Sequence, residues 1–197
     1  MTNGVWCNSP MSDPQPWRVL ASETVADFSP WLRVIRQRVQ LPSGVIIPDY
    51  VLTPARSYSL VVALTDDDHV LLVRQYKHGL GRAVYDFPAG YLETPDEDPL
   101  AAAQRELREE TGYAARRWAS LGAYHLDTNR SEAAAHLFFA RGLERVAEPH
   151  LDDTEALTVH RVPRAGIAPL LRAGQMSGLA CPAAWGLALA YLSENRD

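Results

Sequence analysis

One segment near the middle of the chain constrains the fold more than any other. Asp98 is a typical helix N-cap residue, Pro99 suits the first helical position, and Gly112 suits the end of a helix. Between them, apolar side chains recur at spacings of three and four residues, at Leu100, Ala103 and Leu107. The sequence therefore predicts an amphipathic helix over 98–112, with one apolar face and one acidic face.

Short runs rich in β-branched residues lie on both sides of this helix. They predict strands at 31–41, 45–52, 59–65, 70–75, 85–87, 120–126, 136–140 and 156–162. Pro48 places the second strand at a sheet edge, and residues 66–69 form an acidic turn. Two closing helices are expected at 169–173 and 183–193. This order favours an α/β (α+β) fold, in which a mixed sheet is layered with helices.

Length and composition set the domain organisation. The chain has 197 residues, of which 47% are hydrophobic, and this suits one globular domain with a small appendage. We expect a disordered tail at 1–17, an N-terminal β unit at 18–56 and the principal domain at 57–197. The tail contains no basic segment followed by an apolar one, as a secretory signal would.

Charge, the length of the apolar runs and cysteine content indicate which partners and which cellular compartment to expect. A formal charge of -5 gives no reason to expect binding to nucleic acid or to a membrane surface. The most apolar run, 183–192, is too short for a membrane span. Cys7 and Cys181 make neither a disulfide framework nor a zinc ligand set, so we expect a cytoplasmic protein.

Three glutamates mark the acidic face of the predicted helix. Glu106, Glu109 and Glu110 stand at i, i+3 and i+4, so their carboxylates share one face and repel one another. Hard divalent cations such as Mg²⁺ are natural partners of clustered carboxylates. A solvated acidic helix face has the same spacing. Spacing alone therefore leaves a metal site and an ordinary surface open.

A longer pattern surrounds these glutamates and resembles the signature of the Nudix hydrolase family. The family pattern is Gly, five residues, Glu, seven residues, Arg-Glu, an apolar residue, any residue, Glu-Glu, any residue and Gly. The matching positions here are Gly90, Glu97, Arg105, Glu106, Glu109, Glu110 and Gly112. Glu97 lies eight before Arg105, as in the family, but Gly90 lies seven before Glu97 instead of six. The extra residue bears on the placement of Glu93 and Glu97, not on the helix.

The resemblance implies a Nudix α/β/α sandwich with a small N-terminal antiparallel sheet, and hydrolysis of a diphosphate bridge with Mg²⁺ or Mn²⁺ as cofactor. It also implies a role for each matching residue. Glu106, Glu110 and the backbone carbonyl of Ala89 would bind metal, and Glu109 would bind metal or orient water. Arg105 would orient the glutamates through charge-assisted hydrogen bonds.

The segments 73–77 and 87–90 are similar to those of ADP-ribose and other nucleoside-diphosphate-sugar pyrophosphatases. That subgroup implies a nucleotide-sugar substrate and a homodimer that exchanges its N-terminal strands. By position, Trp31 would stack on adenine, or else pack in a core or interface. Lys77 would contact the phosphates or terminal ribose, or else be an exposed strand-end lysine, and Arg74 belongs to the same substrate-binding segment.

Two later segments complete the expected site. The subgroup has an acidic loop where this chain carries residues 152–155. Glu155 is the candidate general base or extra metal ligand, the alternative being a solvated turn. Asn129 and Arg130 would contact a sugar or phosphate, or simply form a turn; the proline common in ADP-ribose-selective enzymes is missing from 126–131. The competing hypotheses are a nucleotide sensor without turnover, a hydrolase of dinucleotides or nucleoside triphosphates, and a purely structural domain.

Overall fold

A computed structural model describes residues 13–151 and 156–195 of the chain. The chain divides into two compact units, Met1–Pro54 and Ala55–Asp197. The first unit consists of one antiparallel sheet and the second contains a larger mixed sheet with helices. In the described part of the chain, no helix has the length and apolar character needed to cross a membrane.

The first unit is a three-stranded sheet of β1 (Arg18–Phe28), β2 (Leu32–Gln40) and β3 (Ile46–Leu52), in that order. The two strands expected from the sequence are confirmed as β2 and β3, and Pro48 lies on the edge strand β3 as predicted. Strand β1 was not anticipated. Almost all of its side chains are exposed, so it lacks the strict alternation of a half-buried strand.

The second unit is built on a seven-stranded mixed sheet. Its strands are β4 (Tyr58–Leu64), β5 (His69–Lys77), β6 (Arg82–Asp86), β7 (Ala89–Tyr91), β8 (Tyr113–His125), β9 (Ala134–Arg145) and β10 (Leu157–Pro163). The order β10-β5-β4-β9-β8 forms the main path, with β6 beside β5 and β7 beside β4. Among the described strands of this sheet, only the β4 and β9 pair is parallel, so the mixed sheet expected from the sequence is confirmed.

Helices cover both faces of this sheet. Helix α1 (Pro99–Thr111) packs Ala103 and Leu107 against β4, β5 and β9. Helices α2 (Arg164–Arg172) and α3 (Ala180–Glu194) lie on the core of the opposite face, with Phe87 and Trp185. The unit is therefore the expected α/β/α sandwich.

The ends of α1 are those predicted. The Asp98 carboxylate accepts a hydrogen bond of 3.2 Å from the Leu100 N–H. Gly112 has a φ of 77° and closes the helix with a bond to the Arg108 carbonyl. Helix α2, by contrast, begins at Arg164 and not at 169, so Pro169 lies inside it. Burial of Ile167 anchors its first turns despite the hydrogen bond that Pro169 cannot make.

Candidate active site

A cavity of about 630 Å³ opens beside the acidic face of α1 within the second unit. Charged and polar side chains make up much of its wall, and the remaining lining residues are Leu60, Ala89, Gly90, Leu126, Gly178, Leu179 and Ala180. The charged and polar lining residues are Arg56, Tyr58, Gln75, Lys77, Asp86, Tyr91, Glu93, Arg105, Glu106, Glu110 and Cys181. A concave site with several convergent charged groups is the usual setting for binding or catalysis.

Two of the three α1 glutamates are buried in this wall. Glu106 is 9% exposed and Glu110 is 5% exposed, whereas the Glu109 side chain is more open. Burial of a carboxylate is costly unless cations or hydrogen bonds compensate its charge. The solvated acidic face that the spacing also allowed is therefore excluded for Glu106 and Glu110.

Strand β7 approaches both carboxylates through its backbone. A Cβ atom at Gly90 would overlap the carboxylate of Glu106, so only glycine leaves this side chain its position. The Ala89 N–H donates a hydrogen bond of 2.9 Å to Oε2 of Glu110. The sequence Ala89-Gly90 thus brings the main chain of β7 directly against the acidic face of α1.

Arg105 links the carboxylates to one another. Its Nη1 lies 2.6 Å from Glu106 Oε1 and 3.3 Å from Glu109 Oε2, and its Nη2 donates to the Tyr91 carbonyl. Burial lowers the pKa of the guanidinium, but its hydrogen bonds and charge interactions with Glu106 and Glu109 outweigh burial and hold the pKa above its ordinary value. Arg105 therefore remains a permanent cation among the glutamates.

The acidic loop before α1 also reaches Arg105. Arg105 Nε is 3.5 Å from Glu97 Oε1 and 3.8 Å from Glu93 Oε1, and it makes no hydrogen bond with the described residues. Glu97 Oε2 accepts a bond from the Glu93 N–H, which closes the loop on itself. The extra residue between Gly90 and Glu97 is thus accommodated while Glu97 stays beside the arginine.

This donor set suits a hard divalent cation. Carboxylate and carbonyl oxygens are the ligands that Mg²⁺ and Mn²⁺ prefer. Arg105 forms ion pairs with Glu93, Glu97, Glu106 and Glu109, whereas Glu110 accepts the Ala89 N–H. Among the described residues, no three acidic, histidine or cysteine side chains already converge as a ligand cluster. Two of the glutamates turn an oxygen to Arg105 instead. The oxygen ligands present here therefore fit a hard divalent cation, and in this structure Glu106 and Glu109 pair with Arg105.

A second polar group lies in the same cavity. Asp86, at the end of β6, accepts a hydrogen bond of 2.9 Å from the Cys181 thiol, and its other oxygen is 3.9 Å from Lys77 Nζ. Burial, followed by the charge of Asp86, raises the pKa of the Cys181 thiol above its ordinary value. Cys181 is therefore a neutral donor and not a nucleophile.

Aromatic side chains form another part of the wall. The rings of Tyr58 and Tyr91 meet edge to face at 6.4 Å, and the Arg56 guanidinium lies 4.9 Å from the Tyr91 ring centroid. Arg56 also donates to the Leu92 carbonyl. Burial raises the pKa of Tyr58 to about 12, so its hydroxyl stays protonated.

The other residues expected at the site either do not line the cavity or are among the residues that the structure does not describe. Arg74 stands over the Tyr85 ring, and residues 127–130 form a turn closed by Asp127, in which Arg130 pairs with that aspartate. Among the described residues, Arg74, Asn129 and Arg130 do not line the 630 Å³ cavity. Trp31 belongs to the first unit, where it is 86% exposed. Glu155 lies outside the described residues.

Several cavity residues were not anticipated from the sequence, namely Arg56, Tyr58, Asp86, Tyr91 and Cys181. Alternation along the strands provided a usable signal. Side chains two residues apart on a strand share a face of the sheet, so Val73, Gln75 and Lys77 lie on one face of β5. Val73 pairs with Asp86 of the neighbouring strand β6, so this alternation places Asp86 near Lys77. Cys181 gave no such signal, because it reaches Asp86 from a distant helix.

The fold and the site define a class of protein. A model of the NUDIX domain matches residues 55–176, which is more than half of the chain. The chain therefore belongs to the Nudix family. Four residues of the signature, Gly90, Arg105, Glu106 and Glu110, line the cavity. The expected family and fold are confirmed.

Known proteins narrow the likeness further. The chain is 33% identical to an ADP-ribose pyrophosphatase of Mycobacterium tuberculosis (strain ATCC 25618 / H37Rv) over 121 residues, 61% of this chain and 58% of that protein. It is 32% identical to an ADP-ribose pyrophosphatase of Bacillus subtilis (strain 168) over 125 residues, 63% and 66% respectively. The matches thus span less than two thirds of each relative. A crystal structure of an ADP compounds hydrolase superposes with a TM-score of 0.83 at 26% identity, covering 93% of this chain and 97% of that one.

Proposed function

We propose that this chain hydrolyses the diphosphate bridge of ADP-ribose or a related nucleoside-diphosphate sugar, giving a nucleoside monophosphate and a sugar phosphate. The observation that carries the proposal is the buried pair Glu106 and Glu110 on the wall of a cavity large enough for a small ligand. The names of the similar proteins support an ADP derivative as substrate.

The proposed cofactor is Mg²⁺ or Mn²⁺, held by Glu106, Glu110 and the backbone carbonyl of Ala89. Glu109 would be a further ligand or would orient the attacking water. The bound ion would screen the diphosphate and lower the pKa of the attacking water. The hydrogen bond from the Ala89 N–H to Glu110 places residue 89 beside this carboxylate, and this proximity supports a role for the Ala89 carbonyl as a further ligand.

The remaining roles belong to the protein's own side chains. Arg105 holds Glu106 and Glu109 in position through its ion pairs, as a positioning residue. Glu155, which precedes β10, would take the proton of the attacking water. Lys77 would contact the phosphates or the terminal sugar at the cavity wall. Arg74, Asn129 and Arg130 remain proposed substrate contacts.

A homodimer completes the proposal. Strand β1 and the residues on either side of it expose large apolar side chains in the first unit: Trp17, Val19, Leu20, Val25, Phe28 and Trp31. A long strand with exposed apolar side chains is a liability in a lone subunit, and pairing with a second copy of the chain removes it. Light scattering after size exclusion should give twice the mass of the 21.8 kDa chain. A mass of one chain would contradict the dimer.

A substrate panel tests the activity. The protein is incubated with Mg²⁺ and ADP-ribose, other sugar nucleotides, a dinucleotide or a nucleoside triphosphate, and the products are separated by chromatography. We expect AMP and ribose 5-phosphate from ADP-ribose, at a rate above that for the triphosphate. Tight binding of ADP-ribose without cleavage of any compound would contradict the enzyme and favour a sensor.

A further inference from the structure

Asp86 lines the substrate cavity but takes no part in the carboxylate cluster of α1. Its two oxygens have different surroundings. Oδ1 accepts a hydrogen bond of 2.9 Å from the Cys181 thiol. Oδ2 is the oxygen 3.9 Å from Lys77 Nζ. One oxygen is thus held by the protein, and the other meets a cation at the cavity wall.

The thiol that holds Asp86 is itself held firmly. Cys181 is 1% exposed and belongs to the buried core that also contains Phe87 and Trp185. Burial raises the pKa of the thiol, so the thiol stays protonated and donates to the Asp86 carboxylate. Cys181 therefore fixes the rotation of the Asp86 carboxylate.

The distance between the Asp86 carboxylate and the Lys77 ammonium indicates which kind of group can bind between them. A direct hydrogen bond between an ammonium and a carboxylate spans about 2.7–2.9 Å, so 3.9 Å leaves the two groups in contact by charge alone. A hydroxyl group can donate to the carboxylate and accept from the ammonium at the same time. A phosphate would be repelled by Asp86, and an apolar group would leave both charges without a partner.

We propose that Asp86 and Lys77 form a hydroxyl-binding subsite for the sugar on the far side of the diphosphate, with Cys181 as the residue that positions Asp86. This inference rests on the proposed hydrolysis of nucleoside-diphosphate sugars and names what the second group must carry. Substrates whose second group bears hydroxyls are selected over those whose second group bears none.

The test compares two substrates that share adenosine diphosphate and differ only in the second group, ADP-ribose and the ethyl ester of ADP. The wild type should show a kcat/KM for ADP-ribose about 10- to 100-fold above that for the ethyl ester, the range expected for hydrogen bonds to charged groups. Asp86→Asn and Lys77→Met should each reduce this ratio at least fivefold. Asp66→Asn makes the same chemical change in the exposed turn after β4 and should preserve the ratio.

The role of Cys181 has its own readout. Cys181→Ala removes the donor and should lower the ratio, while Cys181→Ser restores a donor and should recover it. An equal rate on both substrates by the wild type, or a uniform loss on both in Asp86→Asn and Lys77→Met, would overturn the subsite and leave the proposed hydrolase intact. Failure of the wild type to cleave either compound would overturn both.

Discussion

The carboxylate of Glu106 lies against the backbone of Gly90, in the space that a Cβ atom at residue 90 would fill. Gly90→Ala should therefore push Glu106 from its position. Because catalytic groups displaced by about 1 Å can lose on the order of 100-fold in rate, we expect kcat with ADP-ribose to fall by at least that factor. Steady-state kinetics at saturating Mg²⁺ measures it.

Gly79→Ala is the matched control, because nothing lies within 4 Å of a Cβ atom at residue 79. This variant should keep wild-type kcat. A wild-type kcat in Gly90→Ala would contradict the prediction that catalysis requires Glu106 at its observed position.

Arg105 is expected to stabilise the carboxylate cluster when no metal is bound. Arg105→Met removes its positive charge and leaves Glu106, Glu109 and Glu97 to repel one another. Breaking such a partly buried pair costs roughly 2–4 kcal/mol of unfolding free energy. Mg²⁺ should then raise the Tm of the variant more than that of the wild type, because the ion replaces the lost charge.

Arg108→Met changes an exposed arginine on the same helix and serves as the control. Thermal unfolding with and without Mg²⁺ gives both quantities. Equal Tm values for Arg105→Met and Arg108→Met in chelator would contradict the role assigned to Arg105.

The raised pKa of Cys181 makes a prediction about pH. An alkylating reagent attacks the thiolate, and a raised pKa means that this form appears only at higher pH than for an ordinary cysteine. In a Cys7→Ser background, native protein at pH 8 should react with iodoacetamide at least about 100-fold more slowly than protein in urea. Mass spectrometry follows the reaction, and similar rates in both conditions would show that Cys181 is neither buried nor neutral.

The stacking on adenine that the family resemblance implies for Trp31 has its own test. Stacking of a base on an aromatic side chain contributes roughly 1–3 kcal/mol, so Trp31→Ala should raise the KM for ADP-ribose about tenfold or more. Trp31→Phe keeps an aromatic face and should recover most of the loss. An unchanged KM in the alanine variant would remove Trp31 from the site and leave it to the surface of the first unit.

The sequence predicted the parts of the structure that depend on local chemistry. The Asp98 cap, Pro99 and Gly112 bound α1 as expected, because capping and left-handed conformations are decided within a few residues. The family signature likewise predicted that Glu106 and Glu110 belong to the site, and both line the cavity. Their burial was beyond the sequence, since spacing on a helix does not determine which face meets the rest of the protein.

Other features of the structure were not predicted from the sequence, because they depend on burial and on contacts between distant segments. Cys181 and Asp86 are 95 positions apart, and only the packing of α3 on the sheet brings them together. Strand β1 has little buried surface and hence little hydrophobic pattern to detect. Helix α2 runs through Pro169 because the burial of Ile167 overrides the local signal of proline.

The most direct test of the account is the Mg²⁺ dependence of ADP-ribose cleavage in wild type and Glu110→Gln. Glutamine keeps an oxygen that can accept the Ala89 N–H, but it removes the charge that the metal needs. With Glu148→Gln as an exposed control, we predict that Glu110→Gln lowers kcat about a thousandfold, equal to about 4 kcal/mol, with little change in Tm. Comparable kcat values for wild type and Glu110→Gln at saturating Mg²⁺ would contradict the metal site and the mechanism built on it.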